Sequence, residues 1–170
     1  LFLFINEISM NIFFLDYDPK KCAQYHLDKH VVKMIVETAQ MLYSVHWFLE
    51  LTLPSTAYKK AHINHPCSIW ARTSLENYIW LCKLGIELCK EYTFRYGKIH
   101  KTQQHIEWLQ INIPLLPPLG ITNPAQAMPQ EYKDEDPIQA YKNFYIKNKM
   151  EIRGITRYTK RPIPIWITNL

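Results

Sequence analysis

Glycine is scarce in this chain, at four residues of 170, and charged residues make up 21%. Those figures exclude a collagen-like or low-complexity polymer, and with 48% apolar residues the chain has enough to bury that disorder is excluded as well. Long hydrophobic runs are also missing. Asp, Lys, His or Glu interrupts each one before the roughly 18 to 20 residues that a bilayer span needs, so no membrane partner is expected. Residues 1–9, LFLFINEIS, have no starting Met and no basic leader, and their apolar stretch falls short of the roughly 7 to 15 residues of a secretory signal. Met10 is therefore read as the natural start, with 1–9 a non-native or disordered leader and 10–170 a single domain. Cys22, Cys67, Cys82 and Cys89 form no CxxC pair, which without a secretory signal points to reduced thiols. There is no Walker loop, GxGxxG, GxSxG or supported Cys–His pair, so nucleotide-hydrolase and thiol- or serine-hydrolase readings have no motif to rest on.

What is present begins with charge. Twenty Lys and Arg stand against fifteen Asp and Glu, a net +5 that favours polyanionic partners without demanding one. Along the chain, the apolar run NIFFL (11–15) predicts a short strand. Asp18 then offers an N-cap and Pro19 a first helical position, opening a helix from 19 to about 49. Pro66 opens a second, whose apolar residues recur at three and four until Gly97. A short helix is expected from about 102 to 112. Pro114, Pro117, Pro118, Gly120 and Pro124 then impose an irregular segment that must wrap the surface. Asp136–Pro137 repeats the cap signature for a helix to about 150, and the tail from 153 is β-prone and basic. The expected fold is mainly α: a compact helical domain in which two long antiparallel helices pack together, with the N-terminal strand against the tail and the Pro-rich loop along one edge.

Three groups of residues could carry chemistry. On a helical wheel His26, His30, Lys33, Glu37, Gln40 and Ser44 fall in a strip about 80° wide, either a narrow solvent face or the wall of a cleft. The i, i+4 spacing of His26 and His30 would suit a divalent metal, with His65 or His62 as third ligand and Glu37 as ligand or base. HINHPCSIWAR brings His65, Arg72 and a helix start together, a phosphate-binding combination; His65 as a plain cap is the alternative. Arg95, paired at i, i+4 with Glu91 and followed by Lys98, is a further phosphate contact or simply structural. The tail cations Arg153, Arg157, Lys160 and Arg161, interleaved with Tyr158 and Trp166, suit phosphates and stacked bases.

The segments NIFFLDYDP, CAQYHLDKHVVKMIVETAQML, NHPCSIWARTSLENYIWLCKLGIELCKEYTFRYGKIHK, AQAMPQEYK and DPIQAYKNFYI resemble a small family from phages and large DNA viruses. AQYHL and the cluster Tyr58, Lys59, His65 and Pro66, followed by a long helix ending in aromatics and glycine, also resemble pyrimidine-dimer DNA glycosylases of the endonuclease V type. That resemblance implies attack of an N-terminal α-amine on the sugar C1′ of an extruded lesion, an imine intermediate, a stabilising Glu and strand cleavage by elimination. Carried over, it makes Asn11 the nucleophile after loss of Met10 and Glu37 the carboxylate, with His26, Arg72 and Arg95 contacting lesion or phosphate. It needs no cofactor and implies DNA as partner inside an infected cell, in its cytoplasm or nucleus. Three functions stay open: a DNA-processing enzyme on damaged or modified bases by glycosylase and lyase chemistry, a metal-dependent enzyme on nucleic acid or nucleotides using His26, His30, Glu37 and His65, and a non-catalytic nucleic-acid-binding protein.

Overall fold

In a computed structural model, residues 10–147 and 157–169 are described. Among them the regular structure is helical: α1 (Pro19–Tyr25), α2 (Asp28–Phe48), α3 (Pro66–Thr73), α4 (Leu75–Tyr96), α5 (Gln103–Ile111), α6 (Pro137–Phe144) and α7 (Ile165–Thr168). No strand occurs among the described residues. The 1–9 leader, the end of the helix expected to reach 150, and Arg153 lie outside them.

Each long helix expected from the sequence is two helices. Asp18 caps α1 through its carboxylate, which accepts from Lys20 N–H, with Pro19 behind it. The chain then leaves helical geometry at His26 and Leu27, both extended. Neither residue is Pro or Gly, so no local breaker marks the point. The exposed backbone groups are met from far along the chain: Leu27 N–H donates to the Tyr145 hydroxyl, Asp28 N–H to Arg157 O, and the Arg95 guanidinium to His26 O. Tertiary partners thus make a break that propensity does not demand.

The second break falls at Ser74. Its hydroxyl accepts from Asn77 N–H and donates to Gly120 O, while Leu75 N–H donates to Pro117 O and Glu76 accepts from Gly120 N–H. Here the sequence did carry a signal, a Ser N-cap followed by an acidic first turn. The same contacts pin the Pro-rich segment onto the start of α4, and Thr122 fastens it further through Asn77 and Trp70.

The predicted strand is instead an extended segment threaded through the core. Ile12, Phe13, Phe14 and Leu15 are all buried, Phe14 among the rings of Trp70, Trp80 and Tyr141, and Phe13 stacked on His30. A short apolar run signals burial on all sides, which a strand and a threaded segment share. The tail turns out not to be its partner: residues 157–161 cap the break between α1 and α2, and the end of the tail forms α7.

Helix α4 packs against α1, α2, α3 and α5. Asp28 at the start of α2 meets Arg95 near the end of α4, and His46 near the end of α2 meets Tyr78 near the start of α4. Gly85 makes one close approach possible, since a Cβ there would stand 3.0 Å from Ile106 and 3.1 Å from Thr38.

Candidate active site

Helix α2 carries two polar regions of opposite character. At its first turn, Asp28 joins Glu91, Arg95 and Arg161 in a buried cluster. Arg95 donates to Glu91 Oε1 at 2.9 Å, Asp28 Oδ1 at 3.0 Å, His26 O at 2.8 Å and Gln24 O at 3.1 Å, and its side chain has no exposed surface. Arg161 grips the Glu91 carboxylate at both oxygens and lies over the Phe94 ring. Burial pushes the Glu91 carboxyl up, but the hydrogen bonds and charges of Arg161 and Arg95 outweigh it and hold the group below its ordinary value. Arg95 is therefore no phosphate contact, because every hydrogen-bonding nitrogen of its guanidinium is engaged inside the fold. Arg161 is occupied by Glu91.

One to three turns further along α2, Val32, Lys33, Val36, Glu37 and Gln40 line a cleft of about 390 Å³, closed by Met10, His62 and His100. The helical face singled out by the wheel does reach a cleft, but only in its middle stretch. His26 belongs to the break before α2 and is fully buried, with Nδ1 on Cys22 O, and burial lowers its pKa to about 4. His30 is buried under Phe13 with Nδ1 on the Tyr145 hydroxyl. Neither is among the described residues lining the cleft. Ser44 is buried and donates to Met41 O.

The wall opposite α2 comes from two loops. His100 receives Thr102 N–H on Nδ1 and so carries its proton on Nε2, which donates to Val32 O at 3.1 Å. This bond ties the α4–α5 turn to α2. His62 is exposed and adopts a left-handed conformation, φ 53°, a backbone state rare outside glycine and Asn or Asp that recurs where function constrains a loop. The next residue is anchored by Arg72, which donates to Ile63 O and lies 3.9 Å from the Phe48 ring centroid. Tyr58 holds the same loop from the other side, with its hydroxyl on Thr102 Oγ1 and its carbonyl accepting from Trp47. Arg72, expected at phosphate, thus positions the loop.

The remaining expected residues separate. His65 is the N-cap of α3, its Nδ1 accepting from Cys67 N–H. Among the described residues no three His, Cys, Asp or Glu side chains come together as a metal site, so the grouping of His26, His30 and His65 does not form. Asn11 is buried, its side chain donating to Ala127 O and accepting from Ile12 N–H, with the Tyr141 hydroxyl at 2.9 Å. Its neighbour Met10, not its own side chain, faces the cleft. Lys98, Arg157 and Lys160 are exposed cations. Burial raises Cys22, Cys67, Cys82 and Cys89 each to about 12, which makes them poor nucleophiles. Sequence reasoning named Lys33, Gln40 and His62 only as members of larger sets and missed His100; the loop closures that gather them are long-range and leave no local mark.

No helix among the described residues is long and apolar enough to cross a membrane. No curated protein and no solved structure matches the chain. A family model described as pyrimidine dimer DNA glycosylase matches residues 10–111, a span that begins at Met10, takes in every described residue of the cleft and ends with α5. The chain belongs to the pyrimidine dimer DNA glycosylase family.

Proposed function

We propose that this protein excises damaged bases from DNA, pyrimidine dimers first among them, at the cleft along α2, and then nicks the strand by imine-forming lyase chemistry. The observation that carries the reading is the cleft itself, where an amine-bearing and a carboxylate-bearing side chain, Lys33 and Glu37, share a pocket inside the family-matched span.

A base inside a duplex is out of reach, so the target nucleotide must leave the stack. Met10, Val32 and Val36 offer apolar surface against which an extruded base can lie, and the Gln40 amide offers both a donor and an acceptor to its edge. Departure of the base leaves positive charge on the sugar, which a carboxylate at Glu37 stabilises where water is partly excluded. An amine then takes the sugar as a covalent imine. The α-amine of Asn11 is the donor that the glycosylase resemblance implies. It would lie at the junction with Met10, beside the cleft, once everything before Asn11 is removed. Lys59 and Lys60, three and two residues before His62, together with Lys98, Arg157 and Lys160, supply exposed charge for phosphates.

The test is a duplex oligonucleotide carrying one cyclobutane pyrimidine dimer. The protein nicks it at the dimer and leaves an undamaged duplex intact. Binding without any cleavage or base release, under conditions where a known glycosylase acts, would reduce the protein to a nucleic-acid binder.

A further inference from the structure

Resting on the reading of this cleft as a base-excision site whose nucleophile is the freed α-amine of Asn11, we infer that Tyr141 is a positioning residue for that amine, acting through the Asn11 side chain. The first residue of a chain ordinarily frays, and a frayed amine is poorly placed to attack one fixed carbon. Asn11 is held instead. Its Nδ2 donates to Ala127 O at 2.9 Å, and its Oδ1 accepts from Ile12 N–H and from the Tyr141 hydroxyl, each at 2.9 Å. The same hydroxyl lies 2.6 Å from Ala125 O and accepts from Ala127 N–H at 3.3 Å, so the phenol ties Asn11 to the chain just after Pro124. Tyr141 stands on α6, fully buried, with its ring against Phe13 and Phe14.

These bonds run to the Asn11 side chain, so they survive when the peptide bond to Met10 is cut. The amine left behind turns about its own Cα–N bond while the residue that carries it stays fixed. It emerges where Met10 now stands, and Met10 lines the cleft. Glu37 lies on the same side: Cys67 Sγ is 3.8 Å from Asn11 Oδ1, and the thiol, raised chiefly by burial, is raised further by the Glu37 charge. An amide suits the place, since one end must donate to a carbonyl while the other accepts from an N–H and a hydroxyl. Ala125, Ala127 and Tyr141 all fall outside residues 10–111, so the chain beyond the family-matched span fixes the group that acts within it. Tyr141 is not among the described residues lining the cleft, and it reaches the reaction only through Asn11.

The test is single-turnover borohydride trapping on a duplex with one pyrimidine dimer, with mass mapping of the reduced adduct, for proteins that carry a free α-amine at residue 11. Five are compared: the unaltered protein, Tyr141→Phe, Asn11→Ala, the two changes together, and Tyr78→Phe, which loses a buried tyrosine hydroxyl of the scaffold instead. The adduct is expected on the amine of residue 11. Tyr141→Phe and Asn11→Ala should each trap about 10–100-fold more slowly at saturation, with the half-saturating concentration unchanged, while Tyr78→Phe traps at the unaltered rate. On the Asn11→Ala background, Tyr141→Phe should cost nothing more. Losses that multiply in the double variant, an unaltered rate in either single variant, an equal loss in Tyr78→Phe, or an adduct on another residue overturns the inference and leaves base excision standing. If Tyr141→Phe does not fold, Asn11→Ala against Tyr78→Phe decides by the same readings. Failure of the unaltered protein to cleave the glycosidic bond overturns the excision reading, and this inference with it.

Discussion

Two charged regions lie within three turns of each other along α2, and they differ in where their groups stand, one closed inside the fold and the other lining a cleft. Around Asp28, Glu91, Arg95 and Arg161, hydrogen-bonding groups meet partners inside the protein, with little surface left to water. Around Lys33, Glu37, Gln40 and His62, the charged and polar groups border open space. The difference separates scaffold from site. A buried ion pair is kept because removing one member strands the other, whereas polar groups around a cleft can exchange water for a substrate.

The largest effect should come from the closed region. Arg95→Ala takes from Asp28 its ion pair and leaves Glu91 with Arg161 alone, and should cost about 3–5 kcal/mol in denaturant unfolding. Because Arg95 also holds the His26 carbonyl, the break between α1 and α2 should loosen with it. A loss below 1 kcal/mol would place Arg95 among ordinary surface pairs and blur the contrast.

Acid should act on the buried histidines next. His26 and His46 are lowered to about 4, chiefly by burial. Above about pH 6.5 both folded and unfolded forms are neutral at these positions, so they contribute nothing there. Between about 6.5 and 4 the unfolded chain binds protons that the folded chain refuses, and stability falls as pH falls, by at most about 1.4 kcal/mol per pH unit for each histidine. Glu91, lowered from its ordinary value, adds a loss in the same direction only in more acidic solution. Unfolding midpoints measured from pH 7 to 5 should drop, and His46→Gln should flatten the slope. A flat profile in the unaltered protein would contradict the burial of these rings.

The smallest effect on stability, with a real one on chemistry, is expected in the open region. His62→Ala should leave the unfolding free energy within about 0.5 kcal/mol, as for an exposed loop position. It should slow base excision about tenfold, the value of one hydrogen bond lost near the reacting group. Equal losses of stability and activity would return His62 to the scaffold.

The contrast also explains what was legible beforehand. Caps at Asp18–Pro19 and Asp136–Pro137, the stop at Gly97 and the proline-dense segment are local signals, and helices or irregular chain begin and end there. The break at His26–Leu27 has no local cause: it depends on Tyr145, Arg95 and Arg157, more than sixty residues away. Treating residues 19–49 as one helix placed His26 and His30 beside Glu37 on a continuous face. In fact the break and the Phe13 segment bury both rings. Lys33, Glu37 and Gln40 were legible because they sit on the stretch of α2 that lines the cleft, whereas His30, in the same helix, is covered by Phe13. Choosing between His62 and His65 was not, since Arg72 and Tyr58 decide which side of the loop meets the cleft.

The most direct test of the account is release of the base from its sugar, read as glycosidic-bond cleavage at the dimer because the cyclobutane bridge retains the base on its neighbour, by Glu37→Gln, alongside its circular dichroism and duplex affinity. The account predicts release slowed by about 10²–10⁴-fold, the usual range for a lost acid–base group, with helicity and binding retained. Release by the folded variant at the unaltered rate would show that the excision chemistry is not centred on Glu37.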